Sequence, residues 1–145
     1  MAQPEPFLSA EAESEIVASI REAERETSGE IRVHLEKTHK GDAYLRAQEV
    51  FFQLKMDRTR ERNGVLLYVA VEARSFVILG DRGIDNVVPS DFWDSTRDVI
   101  QGHFQKGEFK SGIIAGILSA GQELKVHFPW RSDDENELSD AISKN

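Results

Sequence analysis

The chain has 145 residues, of which 39% are hydrophobic and 30% charged. That length fits one domain and not two, and that much apolar material excludes a disordered chain. Lys and Arg number 18 against 26 Asp and Glu, a net charge of −8, which opposes adhesion to phosphate backbones, so we expect no nucleic-acid partner. Cysteine is absent, which removes disulfides, thiolate nucleophiles and sulfur-ligated zinc. The longest apolar run, Val65 to Val71, is far short of the ~20 residues of a membrane span. The start, Met1-Ala2-Gln3-Pro4-Glu5-Pro6, has no basic region leading into an apolar stretch. We expect a cytoplasmic protein without membrane insertion, and a monomer.

Ser9 offers an N-cap oxygen, Glu11 and Glu13 fill a first turn, and Ile16, Val17, Ile20 and Ala23 recur at helical spacing up to Ser28-Gly29, where the glycine suits a left-handed stop. Ile31, Val33 and Leu35 then alternate with Arg32, His34 and Glu36, a strand with one apolar and one polar face, expected at an edge of the sheet. Tyr44, Ala47, Val50, Phe51 and Leu54 return to helical spacing, and Val65 to Val71 is apolar on both faces, as in a central strand. A short connection, Glu72-Ala73-Arg74, predicts a hairpin into an antiparallel strand over Ser75 to Leu79. From Gly80 to Pro89 the chain reads as a glycine-punctuated loop with a short strand at Val87-Val88, after which Ser90 caps a helix carrying Phe92, Trp93, Ile100 and Phe104. The Phe92-Trp93 pair is read as core, with at least one ring buried. Gly107 breaks that helix, and Ile113 to Leu124 forms another in which Gly112, Gly116 and Gly121 permit close packing. Residues 7–128 make one unit, helices flanking a small mixed sheet. Residues 129–145 are an acidic segment in which Ser132 and Glu135 have capping-box spacing, leaving a short docked helix and a frayed tail both open.

No G-x-S-x-G elbow, Walker loop or G-x-G-x-x-G turn occurs, and His34, His39, His103 and His127 lack the spacing of a zinc pair. What remains is carboxylate density in loops. Hard cations need six to eight oxygens, which a glycine-containing loop such as Gly80 to Asn86 can gather, although the same residues also suit Asx turns. A second oxygen-rich loop, Asp57 to Asn63, reads equally as a ligand set or as a solvated connection. If the strands on either side are antiparallel, Glu61 and Asp81 converge.

The ordered set Thr27 to Val33, Arg62 to Tyr68, Gly80 to Ile84, Phe104, Gly107 to Phe109 and Gly112-Ile113 resembles the TPM domain family, whose members include thylakoid lumen phosphatase-like proteins, a photosystem II repair factor and an acetylcholine receptor modulator. The resemblance implies an α/β/α sandwich around a small, mainly four-stranded mixed sheet, with two loops crossing at one end and a divalent cation, most often calcium, bound there in some members. Many members carry Gly-Tyr-Gly-Leu-Glu-Gly where this chain has Gly80 to Asn86, so a carboxylate is kept in kind and another added. Members commonly carry a leader and an anchor; this sequence reads as a stand-alone domain. The first reading is therefore a non-catalytic, calcium-binding domain that acts through an unidentified protein partner, with Asp81, Asp85, Glu61 and Asp91 as metal ligands and Arg58, Arg60, Arg62 and Arg82 moderating the negative field. Asp91 alternatively sits in a helix first turn. The alternative function is a metal-assisted acid phosphatase acting on phosphomonoesters, and a third is an interaction module whose cation is incidental. The acidic tail is expected to be solvated and dispensable for metal binding.

Overall fold

The computed structural model describes residues 8–130 and 138–144. Helix α1 (Ala10–Glu24) begins where Ser9 Oγ accepts the Ala12 N–H at 3.0 Å, and its stripe of Ala12, Ile16, Ile20 and Ala23 is buried. The helix ends through Arg25 in the right-handed region. Gly29, expected to be a left-handed stop, has no positive φ. It is needed for closeness instead, since a Cβ there would lie 2.9 Å from Leu124 Cδ1.

Strand β1 (Glu30–Glu36), helix α2 (Ala43–Gln53), a 3₁₀ turn at Met56–Arg58, strand β2 (Gly64–Ala70) and strand β3 (Ser75–Gly80) follow in the expected order. β1 pairs parallel with β2 through the α2 crossover, Ile31 opposite Val65, and β2 pairs antiparallel with β3 through the hairpin, Leu67 opposite Ile78. After α3 (Arg82–Asp85), α4 (Asp94–Gln105) and α5 (Phe109–His127), a two-residue strand β4 (Ser143–Lys144) lies parallel to β1. The sheet order is β3-β2-β1-β4. β1 is thus an inner strand, not the expected edge. Its polar face misled because that face is covered: His34 and Glu36 are buried and bonded to other side chains.

The expected strand at Val87-Val88 is a turn, because both N–H groups bond Ile84 O, at 3.0 and 3.2 Å. α4 starts at Asp94, four residues after Ser90, because Pro89 O and Asp91 O accept from Phe92 and Asp94 in successive turns. The capping box at Ser132 and Glu135 lies outside the described residues.

The sheet is a mixed four-stranded layer with helices on both faces, the α/β/α sandwich that the resemblance implies. On one face α1, α4 and α5 bury Ile16, Ile20, Ile100, Ile113 and Ile117 against Val33, Val65 and Val69, each such side chain contributing roughly 1.5–3 kcal/mol. Close approach there depends on glycine: a Cβ at Gly116 would lie 2.5 Å from Ile100 Cδ1 and one at Gly121 2.8 Å from Ala23 Cβ. Phe92 and Trp93 are both buried, ring to ring at 4.6 Å. The other face packs α2 and Met56 on Leu66, Tyr68 and Ala70. Among the described residues no helix is long and apolar enough to cross a membrane.

Candidate functional site at the loop crossing

The antiparallel β2–β3 pairing brings the start of β2 beside the end of β3, so the loop entering β2 crosses the loop leaving β3. The Asp81 N–H bonds Gly64 O and the Gly83 N–H bonds Arg62 O, both at 2.9 Å. A Cβ at position 83 would lie 2.2 Å from Glu61 O and 2.5 Å from Arg62 O, so only glycine fits. Arg62 takes a left-handed φ of 53°, which aims its side chain back across the crossing. Its guanidinium grips the buried Asp81 carboxylate in a fork, Nε to Oδ2 at 2.7 Å and Nη2 to Oδ1 at 3.0 Å. That hydrogen bond raises the Arg62 pKa further. Asp81 Oδ1 also accepts the Arg82 N–H at 2.8 Å and caps α3. Below the fork, buried Asn63 ties the crossing to the α1–β1 connection by donating from Nδ2 to Ser28 O at 3.1 Å.

Of the expected ligands, Asp81, Glu61 and Asp85 are brought to this place. Asp85 ends the single turn that Asp81 begins, and its pKa is raised by desolvation and then by the Asp81 charge. Glu61 is half-buried, its carbonyl facing Gly83 and its Oε2 3.5 Å from Asn63 Nδ2. Asp91 opens on a different cleft of ≈ 460 Å³, with Asp94, Glu123 and His127. Among the described residues no three His, Asp or Glu side chains are placed to hold one ion. A hard cation at the crossing would draw on Asp81, Asp85 and backbone carbonyls, in competition with Arg62.

Two polar clusters, one buried and one half-buried, lie outside this site. Glu36 receives Arg46 Nε and Nη2 at 2.9 and 2.6 Å and a hydrogen bond from the Tyr68 hydroxyl. His34 Nε2 is 3.1 Å from Glu36 Oε1, so that nitrogen carries the proton and Nδ1 accepts from Ser143 Oγ at 2.9 Å. Desolvation lowers the His34 pKa. Burial and a shared hydrogen bond with Asp140 push Glu24 up to about 9, so that it is protonated at neutral pH and accepts the Ile31 N–H at 3.1 Å. The signal for the first cluster was the polar row Arg32, His34, Glu36. The Glu24–Asp140 contact spans more than a hundred residues and had no local signal.

The sequence profile of the TPM domain matches residues 2–123. The chain belongs to the TPM domain family. The NMR structure of the BA42 protein from the psychrophilic bacterium Bizionia argentinensis is 56% identical to it, covers all of both chains and superposes with a TM-score of 0.94. The N-terminal domain of a P. gingivalis protein, at 20% identity over 84% of this chain and 79% of its own, gives 0.70. That of a Corynebacterium glutamicum protein, at 15% identity over 100% and 91%, gives 0.64. The last two likenesses concern the fold alone. No curated protein matches.

Proposed function

We propose that this TPM domain is a regulatory or partner-binding module whose crossing loops are locked by a divalent cation, calcium before magnesium or manganese. The observation that supports it is the convergence at Gly83, where the Asp81 and Asp85 carboxylates bracket one turn of helix and the Glu61 and Arg62 carbonyl oxygens close on its middle. Calcium accepts carboxylate and carbonyl oxygens alike in a flexible geometry. Asp81, Asp85 and Glu61 would hold the ion, which would take over from Arg62 the neutralisation of Asp81.

Calorimetric titration of chelator-treated protein tests the reading. Saturable heat with calcium, lost in Asp85→Asn, is expected; no heat with calcium, magnesium or manganese at millimolar concentration would overturn it. Steady-state turnover of a phosphomonoester that disappears in Asp81→Asn would replace it with catalysis.

A further inference from the structure

β3 is the outer strand on one side of the sheet, paired with β2 and, among the described residues, with no other strand. Since the Asp81 N–H bonds Gly64 O and antiparallel residues alternate in the side they address, Leu79, Val77 and Ser75 turn their backbone groups to β2. Phe76, Ile78 and Gly80 turn theirs to the open edge. Edge strands are usually blunted by charge or proline, and Ser75 to Gly80 contains neither.

A cleft of ≈ 250 Å³ lies against this edge, with Ile78, Leu79 and Gly80 along it, Tyr44 contributed by the α2 layer and Trp93 and Arg97 by the opposite layer. It is smaller than the ~300–1,000 Å³ of a small-molecule site and suits the side chains of an added strand. Tyr44 is 50% exposed there. The two ends differ in charge. Exposed Arg74 adjoins Ser75, and the connection bearing exposed Lys40 reaches the same residue through His39 Nε2, 3.2 Å from Ser75 Oγ. At the Gly80 end the cleft is lined by Asp85, while Arg97 in the same lining is paired with Asp94 at 2.9 Å.

We propose that the β3 edge is a peptide-binding groove that takes an extended segment of a partner protein as a fifth strand, antiparallel to β3, with a basic residue at Asp85, apolar side chains over the cleft and an acidic residue at Arg74. Backbone pairing supplies affinity and the cleft supplies selectivity, as in other strand additions. The proposal rests on the partner-recognition half of the function above; the backbone pairing does not use the cation, and only the basic end of the peptide shares Asp85 with it.

The test is an amide NMR titration of the full chain with the synthetic peptide Lys-Val-Thr-Val-Thr-Val-Glu. Saturable shifts are expected at Phe76, Ile78, Gly80 and the Trp93 indole, with slowed hydrogen exchange at the three amides. N-methylation of one alternate set of peptide amides should abolish the shifts, and of the other set should leave them, because only one edge of the peptide pairs. Exchanging the terminal Lys and Glu should weaken binding by about threefold or more, as end-charge matching implies. Unmoved amides at millimolar peptide, or equal binding of both N-methylated forms, would overturn the proposal. So would concentration-dependent sedimentation of the protein alone with protection at Ile78, which would give the edge to a second copy. Calcium titrated into a separate peptide-free, chelator-stripped sample separates the two claims: ion shifts there, with no peptide shifts in the calcium-free titration, overturn the groove alone.

Discussion

Replacing Gly83 by alanine sets local propensity against the crossing. Position 83 is inside α3, and in a helix alanine is favoured over glycine by about 0.8–1 kcal/mol. The new Cβ, however, would stand 2.2 Å from Glu61 O, 2.5 Å from Arg62 O and 2.9 Å from Arg62 C. All three are backbone atoms, so no rotamer change relieves them and the loops must part. Parting loses the hydrogen bond from Gly83 to Arg62 O, about 0.5–1.5 kcal/mol, and overpacking adds roughly 1–3 kcal/mol. Against the propensity gain, the net loss is roughly 0.5–3.5 kcal/mol, a fall in Tm of roughly 2–14 °C for a domain of this size. Gly102→Ala is the control: it lies in α4 with nothing within 4 Å of the added Cβ and should stabilise the protein. Thermal unfolding followed by circular dichroism reads both. A Gly83→Ala protein as stable as the parent, or more so, would refute the claim that the loops cross in contact at this residue.

Glu24→Gln keeps the acceptor for the Ile31 N–H and supplies a donor to Asp140 without a titrating proton. The protonated Glu24 of the folded chain contributes stability that is complete below about 4.5 and lost as pH rises toward about 9; the variant should therefore gain Tm over the parent progressively across that window, and a constant difference would contradict the assignment. Tyr68→Phe removes a buried hydrogen bond to the Glu36 carboxylate and should cost about 1.5–3 kcal/mol in urea unfolding, with the Arg46 contacts retained. Removing residues 138–145 deletes the Ser143 bond to His34 and the Leu138 N–H bond to Glu30 at 2.7 Å. Stability should fall by about 2 kcal/mol or more, with at least ~1 kcal/mol from each hydrogen bond, and hydrogen exchange should accelerate along β1, while any response of the loop crossing to calcium should survive.

The fold was legible where the pattern was local. Ser9 capping α1, the apolar strand at Val65, the short hairpin and the small residues of α5 each state their own geometry, and the structure follows them. β1 was misplaced because alternating polarity says that a face is polar and not what covers it; here α2 and the returning segment 138–144 supply the cover. The crossing of the loops that carry Glu61 and Asp81 followed from strand pairing alone. The role of Arg62 did not: its left-handed φ and fork on Asp81 depend on the tight turn before Gly64, which sequence spacing does not aim. Asp91 was drawn in as one more loop carboxylate, and the successive turns at Pro89 and Asp91 direct it to another cleft.

The competition between an ion and Arg62 for Asp81 is measured most directly by following the Gly83 amide and the Arg62 Nε–H together while calcium is added to chelator-stripped protein. The account predicts that both signals move saturably and with one affinity, that core amides such as Val33 stay in place, and that Asp85→Asn abolishes the response. Signals at Gly83 and Arg62 that stay fixed up to millimolar calcium, in a protein whose Asp81–Arg62 fork is intact, would contradict it.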